Sequence, residues 1–174
     1  MLIDTSTLLR TIQVRHPQYE TVARAFETLP RRGRDLHIVP QNLVELWVVA
    51  TRPVAQNGLG LSTMEAAAEL MRLKSTFPLL PDTPAIYPVW ESLVIQYRVS
   101  GKPAHDARLV AAMHVHALTT ILTFDSTGFS RYAGIEVLHP AGTAGTRGCA
   151  LPECSHGPLR GSERRSPASP PRAP

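Results

Sequence analysis

The sequence predicts an α/β fold with a central parallel sheet flanked by helices. Two observations carry this. Short apolar runs alternate with longer segments of helical periodicity, the order that builds a parallel sheet with helices on its faces. The chain has 174 residues and is 43% hydrophobic, enough to bury a core without disulfides or metal staples.

Residues 1–4, MLID, read as a short buried strand. Residues 21–29, TVARAFETL, place Val22, Ala25, Phe26 and Leu29 at helical spacing. LHIVP at 36–40 is a second strand, stopped by Pro40. QNLVELWVVATR at 41–52 is a helix that ends before Pro53, because the residue preceding proline disfavours the helical region. GLGLS at 58–62 is a loop. Ser62 and Glu65 then form a capping-box pattern for a helix over 63–77. PLLPDTP at 78–84 is a polar loop, and 85–100 is helical around Trp90, Leu93, Val94 and Tyr97, with Pro88 fitting the first turn. A further helix over 106–118 carries Leu109, Val110, Met113 and Ala117 on one face. TTILTF at 119–124 and IEVL at 135–138 are the last strands.

Composition changes at His139–Pro140. Residues 1–139 form the domain, and 140–174 are rich in Gly, Pro, Ser and Arg, without apolar periodicity. The expectation for 140–174 is a disordered tail, since it buries too little to offset the entropy of ordering. The net charge of +4 lies mostly there: five arginines and two glutamates fall beyond Pro140, leaving the body nearly neutral. Cys149 and Cys154 are too few for a disulfide framework. With His156 they offer three ligands where structural zinc wants four. No apolar run approaches the ~20 residues of a membrane helix, and the first ten residues lack the features of a signal peptide. The cytoplasm is the expected compartment.

The chain has five aspartates. Asp35 and Asp82 fall in polar loops and read as turn residues. Asp4 and Asp125 each follow an apolar strand, and Asp106 opens the helix that leads into the second of these strands. In a parallel sheet both strand ends lie on one edge, where such folds bind ligands, and a helix leading into that sheet starts near the same edge. Glu45 lies among Leu43, Val44, Leu46 and Trp47, so it is ill placed for a fully solvated face. Taken singly, each aspartate serves equally well as a helix cap or turn residue. Together the four acids form a cluster whose repulsion a hard divalent cation relieves. Magnesium or manganese at such a site keeps waters and takes phosphate oxygens. Arg10, Lys102 and Arg108, and the RRGR run at 31–34, are candidate phosphate contacts, though exposed arginines are common. His114 and His116 are two apart on a helix and do not share a face. Trp47 and Trp90 sit in apolar helical runs and read as core residues rather than base-stacking platforms.

These segments resemble a known family. LIDTSTLL, LVELWVVATRP, HDARLVAAM and LTFDSTGFSR occur in the order and approximate spacing found in PIN-domain nucleases, and within them in the VapC-like toxins of bacterial toxin–antitoxin pairs. The resemblance covers residues 1–139 and implies a three-layer PIN-like fold. By position it assigns the acidic ligands to Asp4, Glu45, Asp106 and Asp125, with Ser6 as the supporting hydroxyl, ahead of Thr5. It implies a Mg²⁺- or Mn²⁺-dependent ribonuclease with one or two ions, acting on single-stranded or loop RNA, tRNA among the candidates. It also implies an antitoxin partner and a homodimer. Two features depart from the pattern: only three residues precede Asp4, and the tail has no counterpart in the family. A haloacid-dehalogenase-type phosphatase also begins with a strand ending in aspartate, but it wants a second aspartate where this chain has Ser6. The alternative outside enzymes is a PIN-like module that binds RNA or a partner without cutting.

Overall fold

A computed structural model describes residues 1–143. Three parallel strands form the sheet: β1 (Leu2–Ile3), β2 (Thr120–Leu122) and β3 (Glu136–Leu138), in that spatial order. Seven helices surround it: α1 (Thr5–Ile12), α2 (Tyr19–Arg31), α3 (Pro40–Thr51), α4 (Thr63–Thr76), α5 (Ile86–Gln96), α6 (Ala104–Val115) and α7 (Ser126–Phe129). The predicted strand at 36–40 is present only as single parallel bridges, His37 to Leu2 of β1 and Ile38 to Leu79. The segment 78–84, expected to be wholly loop, thus adds a further extended edge through Leu79. The chain moves outward from β1 to residue 38 and then to residue 79. It crosses back over β1 to reach β2 and β3, so the topology switches between β1 and β2.

Alternation along the strands sorts the core into two layers. Leu2 and Ile121 are paired in register and face one cluster, with Ile86 and Leu93 of α5 and Leu109, Val110 and Met113 of α6. Ile3 and Leu122, the next pair in register, face the other, with Leu8, Leu29, Leu46 and Leu73 from α1 to α4. Each such side chain contributes about 1.5–3 kcal/mol by leaving water, and a one-residue slip of β1 would exchange its two faces. The three layers expected for the PIN-like fold are those seen.

The predicted capping box is formed: Ser62 Oγ accepts from Glu65 N–H at 3.2 Å, and Glu65 Oε2 accepts from Ser62 N–H at 2.8 Å. Helix α1 has no counterpart among the predicted elements. Its sequence, TSTLLRTI, is rich in β-branched residues of modest helix propensity, and it is helical because Leu8 is buried in the core. Packing continues past His139. Pro140–Thr143 is a 3-10 turn with both end residues buried, set against α2. The remainder of the tail, with Cys149, Cys154 and His156, lies outside the described residues. Among the described residues, no helix is long and apolar enough to cross a membrane.

Candidate metal centre

Asp4 leaves β1 where the topology switches, and its backbone N–H donates to the Leu122 carbonyl of β2 at 3.0 Å. Its side chain does not cap α1. It turns inward and is 7% exposed. Its Oδ2 accepts from Ser6 Oγ and, at 2.7 Å, from Thr123 Oγ1. Burial pushes the Asp4 carboxyl above its ordinary range. The bonds from Ser6, Thr123 and the backbone of Thr5 pull it down, and the Glu45 charge pushes it up further.

Glu45 projects from α3. Thr5 Oγ1 donates to its Oε2 at 2.7 Å, and Gln41 Nε2 donates to its Oε1 at 2.7 Å. The His105 ring also stands 3.5 Å from Oε1. Asn42, fully buried, joins this side of the site to the sheet. Its Nδ2 donates to the Ile3 carbonyl at 3.2 Å and to Thr5 Oγ1 at 3.1 Å, and its Oδ1 accepts from Val39 N–H at 2.9 Å.

Asp125 follows β2 and caps α7, with Oδ1 accepting from Thr127 and Gly128 N–H at 3.1 and 2.9 Å. The turn role open to it from sequence is real, and it occupies only one oxygen. Asp106 lies in the first turn of α6, two residues inside its start. Its pKa rises from the ordinary 3.8 to about 6, first through burial, then through the charges of Asp4, Asp125 and Glu45, with Lys102 opposing. A Cβ at Gly128 would stand 2.8 Å from Asp125 Oδ2 and 3.5 Å from Asp106 Oδ2, so both carboxylates border one small space that glycine leaves open.

The four predicted acids therefore lie on one side of the sheet, near enough that the charges of Asp4, Asp125 and Glu45 all act on Asp106, and Ser6 touches Asp4 as expected. Thr5 is not idle: it holds Glu45. Of the candidate phosphate contacts, Lys102 acts on Asp106. Arg108 donates to Gln41 Oε1 at 3.1 Å and to Asp82 Oδ2 at 2.9 Å, one residue removed from Glu45. Arg10 is bonded instead to Gln13 and Gln18. Arg34 of the RRGR run pairs with Glu136. His114 is exposed, and His116 ends α6 against the Pro81 carbonyl.

The donor set fits a hard divalent cation: oxygen only, partly buried, and mutually repelling enough to shift Asp106. Among the described residues, however, no three acidic, histidine or cysteine side chains stand close enough to make a ready-formed ligand group.

No protein-family model matches the sequence, and no curated protein matches it. Solved structures do. VapBC2 from Rickettsia felis, bound to a DNA fragment from its promoter, is 13% identical with a TM-score of 0.60, covering 79% of this chain and 96% of that one. VapC20 from Mycobacterium tuberculosis, a sarcin-ricin-loop-cleaving toxin, is 19% identical with a TM-score of 0.57, covering 75% and 93%. FitAcB from Neisseria gonorrhoeae is 20% identical with a TM-score of 0.57, covering 80% and 96%. The chain thus has a PIN-domain fold. Within that class its architecture is VapC-like, as the resemblance in the sequence implied.

Proposed function

We propose that the chain is a divalent-metal-dependent endoribonuclease of the cytoplasm, acting as the toxin of a toxin–antitoxin pair. The observation that carries this is the placement of Asp4, Glu45, Asp106 and Asp125 on one edge of a VapC-like fold, where burial first and then the charges of the other three acids raise Asp106 to about 6. Asp4, Asp106 and Asp125 are the residues to hold one or two Mg²⁺ or Mn²⁺ ions, and Glu45 holds an ion or orients the attacking water. A bound ion would polarise the scissile phosphate and acidify a water. Ser6 and Thr123 fix the Asp4 carboxylate, while Thr5 and Gln41 fix Glu45, so the groups are preset before RNA arrives. Lys102 and Arg108 contact phosphates on either side of the cut, and Arg10 engages RNA only after release from its glutamines. In the reaction the water oxygen bonds to phosphorus, the P–O3′ bond breaks, and a proton passes to the leaving oxygen. The products are a 3′-hydroxyl and a 5′-phosphate. The toxin–antitoxin complexes among the similar structures support an antitoxin partner, and a homodimer belongs to the same reading.

The test is cleavage of total RNA by purified protein with Mg²⁺, with Mn²⁺ and with EDTA. Discrete fragments are expected with either metal and none with EDTA. The second reading, a PIN-like module that binds RNA or a partner without cutting, is favoured by the missing ready-formed ligand group. No fragments under any condition, from protein shown to be folded, would favour that module or an RNA target absent from the pool. The space at Gly128 gives a further check. In Gly128→Ala the new methyl presses on Asp125 Oδ2 and Cγ and disturbs the α7 cap that Oδ1 forms, so the melting temperature should fall by about 2–4 °C. Cleavage should fall at least about tenfold, because a small misplacement of a catalytic group is expensive. Unchanged cleavage would remove Asp125 Oδ2 from the working site.

A further inference from the structure

A groove of about 340 Å³ lies on the α5–α6 side, walled by Thr83, Ile86, Tyr87, Trp90 and Arg108. We infer that it takes one nucleobase of a single-stranded RNA, stacked on Tyr87 and Trp90 beside the bond presented to the carboxylates. The inference rests on the nuclease reading and deepens it.

Three observations support it. Tyr87 is 62% exposed, an unusual place for a large ring, and lies 5.6 Å from Trp90 at a 41° tilt. The exposed Tyr87 ring beside the half-buried Trp90 offers a stacking platform, and base stacking is tolerant of sequence because every base has a π face. Trp90 packs partly against the core, as its apolar run implied. It also lines the groove, a role that the run does not display. Its Nε1 donates to the Ala104 carbonyl at 2.9 Å, so the platform is fixed to the first residue of the helix that carries Asp106. Arg108 joins the groove to the acids: it donates to Gln41, which donates to Glu45.

The experiment measures binding by the full chain in EDTA, so that nothing is cut. The probes are a uridine octamer and an octamer of abasic ribose phosphates, followed by anisotropy and by tryptophan fluorescence. Wild type should bind the uridine octamer more tightly than the abasic one and be quenched only by it. Tyr87→Ala, at an exposed position and checked by its thermal melt, should weaken the uridine octamer about tenfold and leave the abasic one unchanged. Equal affinity of wild type for the two octamers, or equal binding of the uridine octamer by wild type and Tyr87→Ala, would overturn the assignment. The result is separable from the cleavage test. Cleavage without base discrimination removes the groove alone, and base discrimination without cleavage removes the nuclease and keeps the groove.

Discussion

Asp106→Asn should make the metal-free protein more stable at pH 7.5 while abolishing RNA cleavage. The folded-state pKa of Asp106 is raised, from 3.8 to about 6, by burial and three neighbouring carboxylates. For an acid raised in this way, the folded state holds the proton more tightly than the unfolded chain does. The penalty on folding is therefore absent below about pH 4, builds as pH climbs toward 6, and is complete above 6. Asparagine never ionises and escapes it. The two proteins should melt together near pH 3.5, and the variant should melt about 2–4 °C higher at pH 7.5, a gain kept modest because water screens the half-buried group. Millimolar Mg²⁺ or Mn²⁺ should then reverse the order. A ligand that binds only the folded state stabilises it, and wild type, with its full set of acids, gains more. Thermal melts across pH, with and without metal, read all of this. A variant that melts below wild type at pH 7.5 without metal would show that Asp106 is not repelled by its neighbours. Wild-type cleavage by the variant would take Asp106 out of the site altogether.

The acids were legible in the sequence, and the scaffold that holds them was not. Asp4 and Asp125 stand out because each ends an apolar run, and Glu45 because its neighbours are apolar; periodicity and burial reveal such places directly. Their partners are another matter. Thr123 is an ordinary β-branched strand residue until the fold sets its hydroxyl 2.7 Å from Asp4, 119 positions away. Gln41 and Asn42 read as the polar start of a helix, and nothing local says that one bonds Glu45 and the other the first strand. Hydrogen bonds between distant segments leave no periodic trace. The same limit hid α1, whose propensity is weak and whose helicity comes from tertiary burial, and the extended edge at Leu79, whose partner Ile38 lies far back in the chain. The sheet with helices on both faces could be anticipated because short apolar runs separated by helical patterns are displayed in the sequence. Which edge carried the acids followed from the order of strands and helices, which the sequence also displays.

Asn42→Leu should be the most destabilising single change near the site. Leucine has the same number of side-chain heavy atoms as asparagine and branches at the same carbon, so the expected damage comes chiefly from polarity. The fully buried amide satisfies three groups at once: the Ile3 carbonyl of β1, the Thr5 hydroxyl and the Val39 N–H at the entry to α3. Leucine leaves the Ile3 carbonyl and the Val39 N–H without this partner, leaves Thr5 with its bond to Glu45 alone, and excludes replacement water. Each unsatisfied buried group costs about 1–3 kcal/mol, and partial relaxation brings the sum to about 3–4 kcal/mol. In a domain of this size that is a fall of roughly 10 °C in melting temperature. The site should suffer beyond the fold, because Thr5, released from Asn42, no longer holds Glu45 in one orientation. Cleavage measured well below the new melting temperature should therefore drop as well, whereas an equally destabilising cavity at Leu73, remote from the acids in the α1–α4 cluster, should leave it near wild type. A loss under about 1 kcal/mol in denaturant titration would mean that the three groups find other partners. Cleavage matching the Leu73 control would mean that Glu45 does not depend on Thr5 for its position.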